Sequence, residues 1–220
     1  MPRILFEKRG NAVWISHLDL MRLFQRAFKR AGLPLTHTQG FNPRPSVSIA
    51  LPLSVGVESC CELLEYELEG EDKPTHKEIV AKLNDALVEG VRVIHSYDNC
   101  AKIKNLAYLD CTVDLEYDAG IPAGASDAMD QLFARNEIIV EKKGKNGITE
   151  QNIAPMIKKL EISAPDDHTL RLSARVCCQN PSLNPAQLAA AVGKYLPEYT
   201  PDFSKSTRVN LYDINEHIFR

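Results

Sequence analysis

The sequence predicts an α+β protein made of two successive β-α-β-β-α-β units with antiparallel sheets. Three observations carry that expectation. Short segments alternate apolar and polar residues with a period of two, as half-buried strands do. Between them lie segments whose apolar residues recur at helical spacing. The same order of elements is then met twice along 220 residues, a length that suits two domains of about 100 residues each.

The first unit opens with "RILFEKR", a strand with Ile4 and Phe6 on one face and Leu5 and Glu7 on the other. Ser16 begins a helix that stops at Gly32, and Asp19 three residues on makes a capping-box-like start. "SVSIALPLSV" and "CELLEYELEG" are the next strands, separated by a turn around Gly56 and Glu58. "PTHKEIVAKLNDALVEG" is a helix opened by Pro74, with Ile79, Leu83 and Leu87 on one stripe and Gly90 as its stop, and "VRVIHSY" closes the unit. That order is the split β-α-β, or ferredoxin-like, arrangement.

The second unit repeats the order more loosely. "LAYLDCTVDLEY" reads as a strand, "ASDAMDQLFARN" as a helix and "EIIVEKKG" as a strand. An insertion, "KNGITEQNIAPMIKKLEI", precedes the strand "TLRLSARVCC", the helix "NPAQLAAAVGKYL" and a last strand "TRVNLYDI". The boundary falls between residues 98 and 105, giving units of 1–100 and 101–220. "EKKGK" (Glu141–Lys145) forms a second basic spot at a hairpin tip.

Composition bounds the function classes. A hydrophobic share of 44% and a charged share of 25% are those of an ordinary globular protein. No apolar run approaches the roughly 18 to 20 residues that cross a bilayer, and the charged N-terminus reads as a first strand. A cytoplasmic protein with no membrane partner is expected. The six cysteines (60, 61, 100, 111, 177, 178) form no CxxC or cluster-binding pattern and read as reduced packing residues. No P-loop, GxGxxG, HExxH or GxSxG occurs. Glu65, Glu67 and Glu69 share one strand face, a solvated face in preference to a Mg²⁺ site.

The net charge of −3 conceals an asymmetry: residues 1–45 carry a balance of +6 and the remainder −9. Within the first helix, Leu20, Leu23, Phe24, Ala27, Phe28 and Ala31 form one apolar face, while Arg22, Arg26, Lys29 and Arg30 lie opposite with Asp19 as the one acid. A solubilising face normally mixes signs at i,i+4 spacing, so this unmixed face points to a polyanion. The loop that follows, "THTQGFNPRPS", has a glycine for turning, two prolines for stiffness and no Lys/Glu padding. Arg44 is suited to phosphate, Phe41 to stacking on a base, and His37, Gln39 and Asn42 to hydrogen bonding, the set that single-stranded RNA binders use. The alternative is a crossover loop whose Phe41 plugs the core. His17 falls on the apolar side of the helix near Phe24 and Phe28, where a buried, hydrogen-bonded imidazole is expected; as a general acid/base, it or His37 would serve a metal-independent ribonuclease.

The pieces "FEKRG", "SHLDLMRLFQRAFKRAGLP", "QGFNPRP" and "ALPLSVGVES", covering most of residues 3–59, resemble a bacterial family of radical-SAM-linked proteins of uncharacterised function. Such proteins occur as separate chains or as the C-terminal part of cobalamin-binding radical SAM proteins. The resemblance implies a radical SAM protein as partner and an RNA-related role. It implies no cofactor in this chain, which lacks the cluster-binding cysteines. The tandem arrangement also looks like the CRISPR repeat-processing endoribonucleases. The expected function is thus RNA recognition in the service of a radical SAM enzyme that modifies or matures RNA. An endoribonuclease and a protein-interaction module docking on the radical SAM partner are the alternatives.

Overall fold

The computed structural model describes residues 1–98, 100–144 and 147–220. It is a mixed α+β structure with mostly antiparallel sheet and, among the described residues, four α-helices. The chain divides into two compact units, Met1–Asn105 with Phe219–Arg220, and Leu106–Ile218. No helix among the described residues is long and apolar enough to cross a membrane.

In the first unit β1 (Arg3–Lys8) leads through a 3-10 turn (Gly10–Trp14) to α1 (His17–Arg30), β2 (Val47–Ala50), β3 (Glu58–Tyr66), α2 (His76–Ala86) and β4 (Val91–Tyr97). The strand order is β4-β1-β3-β2, every neighbouring pair antiparallel. β2 is shorter than its sequence suggests, because Pro52 has no N–H to continue a ladder. The helices cover one face: Leu20, Phe24, Ala27 and Phe28 of α1 and Ile79 and Leu83 of α2 are buried with Ile4, Phe6, Leu64 and Tyr66 of the sheet. Phe6 meets Phe24 edge-on, ring centres 4.7 Å apart. α2 carries a reciprocal capping box, Thr75 with Glu78, that the sequence reading placed no weight on.

β1 departs from a half-buried pattern, since Arg3, Ile4, Leu5, Phe6 and Lys8 are all buried. It lies inside the sheet between β4 and β3, and its second face is covered too. Arg3 donates to Glu65 at 2.7 Å and to the Ala101 carbonyl at 2.8 Å, with its guanidinium 5.4 Å from the Phe219 ring centre. Lys8 Nζ donates to the carbonyls of Val13 (3.1 Å) and Ile15 (2.8 Å), tying down the turn into α1. Burial pulls the Lys8 ammonium below its ordinary pKa, against the opposing pull of Glu62. Two of the cations in the basic first fifth of the chain are therefore scaffold. Gly90 sits at φ +84°, and a Cβ there would lie 2.5 Å from the Arg9 carbonyl; only glycine lets β4 start against that turn.

The second unit runs β5 (Leu106–Glu116), α3 (Ala125–Phe133), β6 (Ile139–Gly144), β7 (Gly147–Asn152), β8 (Ile157–Asp166), β9 (Thr169–Cys177), α4 (Ala186–Tyr195) and β10 (Phe203–Asp213). Its sheet order is β10-β5-β9-β8, while β6 and β7 form a separate two-stranded ribbon. This corrects the expectation that "EIIVEKKG" pairs in the main sheet. The place beside β9 goes to β8, from the segment read as insertion, whose Leu160 and Ile162 stand opposite Ala174 and Leu172. β6 is held instead by α4, where Lys194 Nζ and the Tyr195 hydroxyl both donate to the Ile139 carbonyl. Lys145 of the predicted basic spot lies outside the described residues. The core alternates as expected: Leu109, Cys111, Val113 and Leu115 of β5 are buried, as are Leu188, Ala191 and Val192 of α4 and Met129 and Leu132 of α3. The other sheet face carries cross-strand pairs, Arg171 with Asp114 and Arg175 with Asp110.

Candidate nucleic-acid interface: helix α1 and the loop that follows it

The start of α1 is built as its sequence suggests. The Asp19 amide donates to Ser16 Oγ at 3.2 Å, and the Ser16 hydroxyl donates to the Asp19 carboxylate at 2.7 Å. The hydroxyl first, and Arg22 second, hold that carboxyl below the usual carboxylate range. Arg22, Arg26, Lys29 and Arg30 are all exposed on the face away from the core, but they are not equivalent. Arg22 sits 3.0 Å from Asp19 with both side chains more than half exposed (67% and 60%), a pair that water makes weak. Arg30 donates to the Ala86 carbonyl at the end of α2, where helix carbonyls lack intrahelical partners. Arg26 and Lys29 have no partner among the described residues.

The loop is an ordered projection. After Gly32, at φ +65°, Leu33 and Leu35 are buried and Leu35 bridges to Leu68. Backbone bonds from Thr38 to Arg44 (2.8 Å) and Ser46 to Thr36 (2.7 Å) zip the two arms of a short stem, and one from Thr36 to Glu67 (2.9 Å) ties it to the end of β3. The Arg44 amide also donates to Thr38 Oγ1 at 3.0 Å. The tip, residues 39–43, is exposed throughout, and Gly40 turns it at φ +141°. Phe41 is fully exposed (100%), so it plugs no core. Gln39, Asn42 and Arg44 stand exposed around it, and the Arg44 guanidinium has no partner among the described residues.

Between the second half of α1 and the stem lies a cleft of about 300 Å³. Phe28, Leu33, Leu35 and Pro45 supply apolar walls, while Gln25, Lys29, His37 and Glu69 supply the polar lining. His37 Nδ1 is 3.7 Å from a Glu69 oxygen, with both side chains about half exposed. The structure thus brings Lys29 and His37 to one depression. Sequence reasoning missed Gln25 and Glu69 as members of it. The position of Gln25 one helical turn before Lys29 was the available signal for the first; nothing local pointed to Glu69.

Other sequence candidates resolve differently. His17 is half-buried rather than buried, and among the described residues it has no hydrogen-bond partner, so the expected hydrogen-bonded core imidazole is corrected. The three glutamates at period two do separate work: Glu65 holds Arg3, Glu67 accepts from Thr36 at 3.1 Å, and Glu69 faces His37. Among the described residues no group of three His, Cys, Asp or Glu side chains is placed to hold a metal ion. All six cysteines are free, four of them buried, and burial pushes the Cys111 and Cys178 thiols up to about 12.

Residues 2–185 match the family described as "Uncharacterized protein conserved in bacteria (DUF2344)", and the chain belongs to that family. Nothing in that match ties the family to radical SAM proteins. No curated protein matches the sequence. Among solved structures, the chain is similar to one from the crystal structure of a Cbf5-Nop10-Gar1 complex, with a TM-score of 0.51, 9% identity, and coverage of 96% of this chain and 48% of that one. It is also similar to a chain from an H/ACA RNP bound to a substrate RNA containing 2'-deoxyuridine, with a TM-score of 0.48, 8% identity, and coverage of 94% and 46%. The chain spans about half the length of these solved chains. At such identity the first likeness is one of fold alone.

Proposed function

We propose that this protein binds single-stranded RNA through α1 and its following loop, acting in the cytoplasm as the recognition subunit of a radical SAM enzyme that modifies or matures RNA. The observation that carries the reading is the set of cations left without partners: Arg26 and Lys29 on α1 and Arg44 on the stem, beside a fully exposed Phe41. Exposed cations satisfy no internal need, and an aromatic ring held out in water on a zipped stem gains its area only against a partner. In this reading Arg22, Arg26, Lys29, Arg30 and Arg44 hold phosphates, and His37, Gln39, Phe41 and Asn42 engage bases. The radical SAM partner rests on the sequence resemblance, and the fold shared with a chain of a multiprotein complex is compatible with a subunit role. We read the two β-α-β-β-α-β units, residues 1–100 and 101–220, as a tandem ferredoxin-like pair, the second interrupted by the β6–β7 ribbon. The test is affinity for short single-stranded RNA at low and physiological salt. Steep salt dependence supports the reading, and an affinity indifferent to salt refutes it.

One observation favours a second reading. His37 faces Glu69 in a cleft that also holds Lys29, the kit a metal-independent ribonuclease requires: an imidazole to move a proton and a cation for the scissile phosphate. Specific RNA cleavage in EDTA by the wild type, lost in a folded His37→Ala variant, would establish it in place of the binder.

A further inference from the structure

Resting on the RNA-binding reading, we infer that the cleft between α1 and the loop stem is a slot for one unpaired base, and that it selects guanine over uracil. The shape fits first. Pro34 and Pro45, which keep accessible surface at the cleft, offer apolar faces for a ring, and about 300 Å³ lies at the small end of ligand pockets, which run from roughly 300 Å³ upward. The polar edge sets the preference. Glu69 is acceptor-only when ionised, and the one basic side chain within 4 Å of its carboxylate among the described residues, His37 at 3.7 Å, stands beyond normal hydrogen-bond length. A carboxylate with acceptor capacity to spare suits a base with adjacent N–H donors. Guanine presents two on its Watson–Crick edge, N1–H and the 2-amino group, whereas uracil presents one. Lys29 on the rim, with Arg26 beside it on the exposed face of α1, supplies the charge for the flanking phosphates. In a duplex that edge is already paired, so only a single strand can fill the slot.

The test uses the full chain and three fluorescently labelled RNAs: a short strand of uridines with one central guanosine, the same strand with uridine throughout, and the guanosine strand annealed to its complement. The guanosine strand should bind about tenfold tighter than the other two. Glu69→Gln should erase the difference between the guanosine and uridine strands without weakening the uridine strand. Gln25→Trp, which fills the cleft from the helix side, should do the same and leaves Glu69 in place. Equal binding of the guanosine and uridine strands by the wild type, with the duplex weaker, would overturn the slot and leave the single-stranded RNA reading standing; a duplex bound as tightly as both would overturn the two together. A preference for guanosine that survives both variants would also overturn the slot. No RNA binding at all, or binding untouched by charge reversal at Arg26 and Lys29, would overturn the RNA reading and the slot with it.

Discussion

Arginines occupy both units, but in opposite circumstances. On the sheet face of the second unit, Arg171 grips Asp114 with two bonds of 2.6 and 2.8 Å. Arg175 holds Asp110 at 2.7 and 3.0 Å, also reaches Glu216, and lies over the Tyr212 ring at 3.8 Å. These guanidiniums have spent their donors on neighbours, and Arg175 is only 13% exposed. On α1 and its loop, Arg26, Lys29 and Arg44 are exposed and have no partner among the described residues. Fork-to-carboxylate pairing across a sheet is a device of the scaffold; a cation left to water keeps its donors for a ligand. Counting charges cannot tell these cases apart, whereas counting partners can.

The largest effect that would sharpen the contrast is on binding. Charge reversal of Arg26 and Lys29 together should cut affinity for single-stranded RNA at low salt by about a hundredfold and flatten the log–log salt slope by about 1.4, two phosphate contacts' worth. The melting temperature should hold, since neither side chain supports the fold. If binding survives intact, the exposed cations are only solvated, and the comparison loses its functional meaning. Arg175→Ala should do the reverse. Breaking a bidentate, largely covered pair should cost about 2 kcal/mol in urea denaturation, with RNA affinity unchanged. Loss of RNA binding in that variant would place a second footprint on the sheet face of the second unit. Smaller again is Phe41→Ala, which should lower affinity by about 1 to 2 kcal/mol, one stacked base, and leave stability untouched. A destabilised Phe41→Ala would show that the ring packs inward in solution.

Helical features were legible in the sequence because they repeat locally. The apolar stripe of α1, its Ser16 start and the Ile79/Leu83 stripe of α2 all stand where periodicity put them. The partnering of charges was not legible, because it depends on contacts far apart in the chain. Arg3 finds Glu65 and Ala101, and Arg30 finds Ala86; no window around residue 3 or 30 contains those groups. The same limit hid the cleft, where residues 25–29 meet residue 69. The exchange of β6 for β8 has another cause. Both segments mix apolar with charged residues, so local pattern does not choose between them, and in the structure bonds from α4 hold β6 aside.

The smallest test concerns the single acid on the basic face. Asp19 draws Arg22 toward itself at 3.0 Å, and its carboxyl is held below the usual range by the Ser16 hydroxyl first and by Arg22 second. A carboxyl with a depressed folded-state pKa contributes fully above its unfolded value, and the contribution fades as pH falls through the folded one. At neutral pH Asp19 is therefore ionised and placed to draw on Arg22, which makes Arg22 less available to a ligand than Arg26 or Lys29. Asp19→Asn should release it. The helix cap should persist, because the residue-19 amide still donates to Ser16 Oγ. RNA affinity at low salt should rise about two- to threefold and the salt slope steepen by up to about 0.7, one further phosphate, with the melting temperature barely changed. Wild type should approach the variant's behaviour only in acid, below the ordinary carboxylate range. An unchanged slope in Asp19→Asn would remove Arg22 from the footprint and leave Arg26, Lys29, Arg30 and Arg44 to carry it.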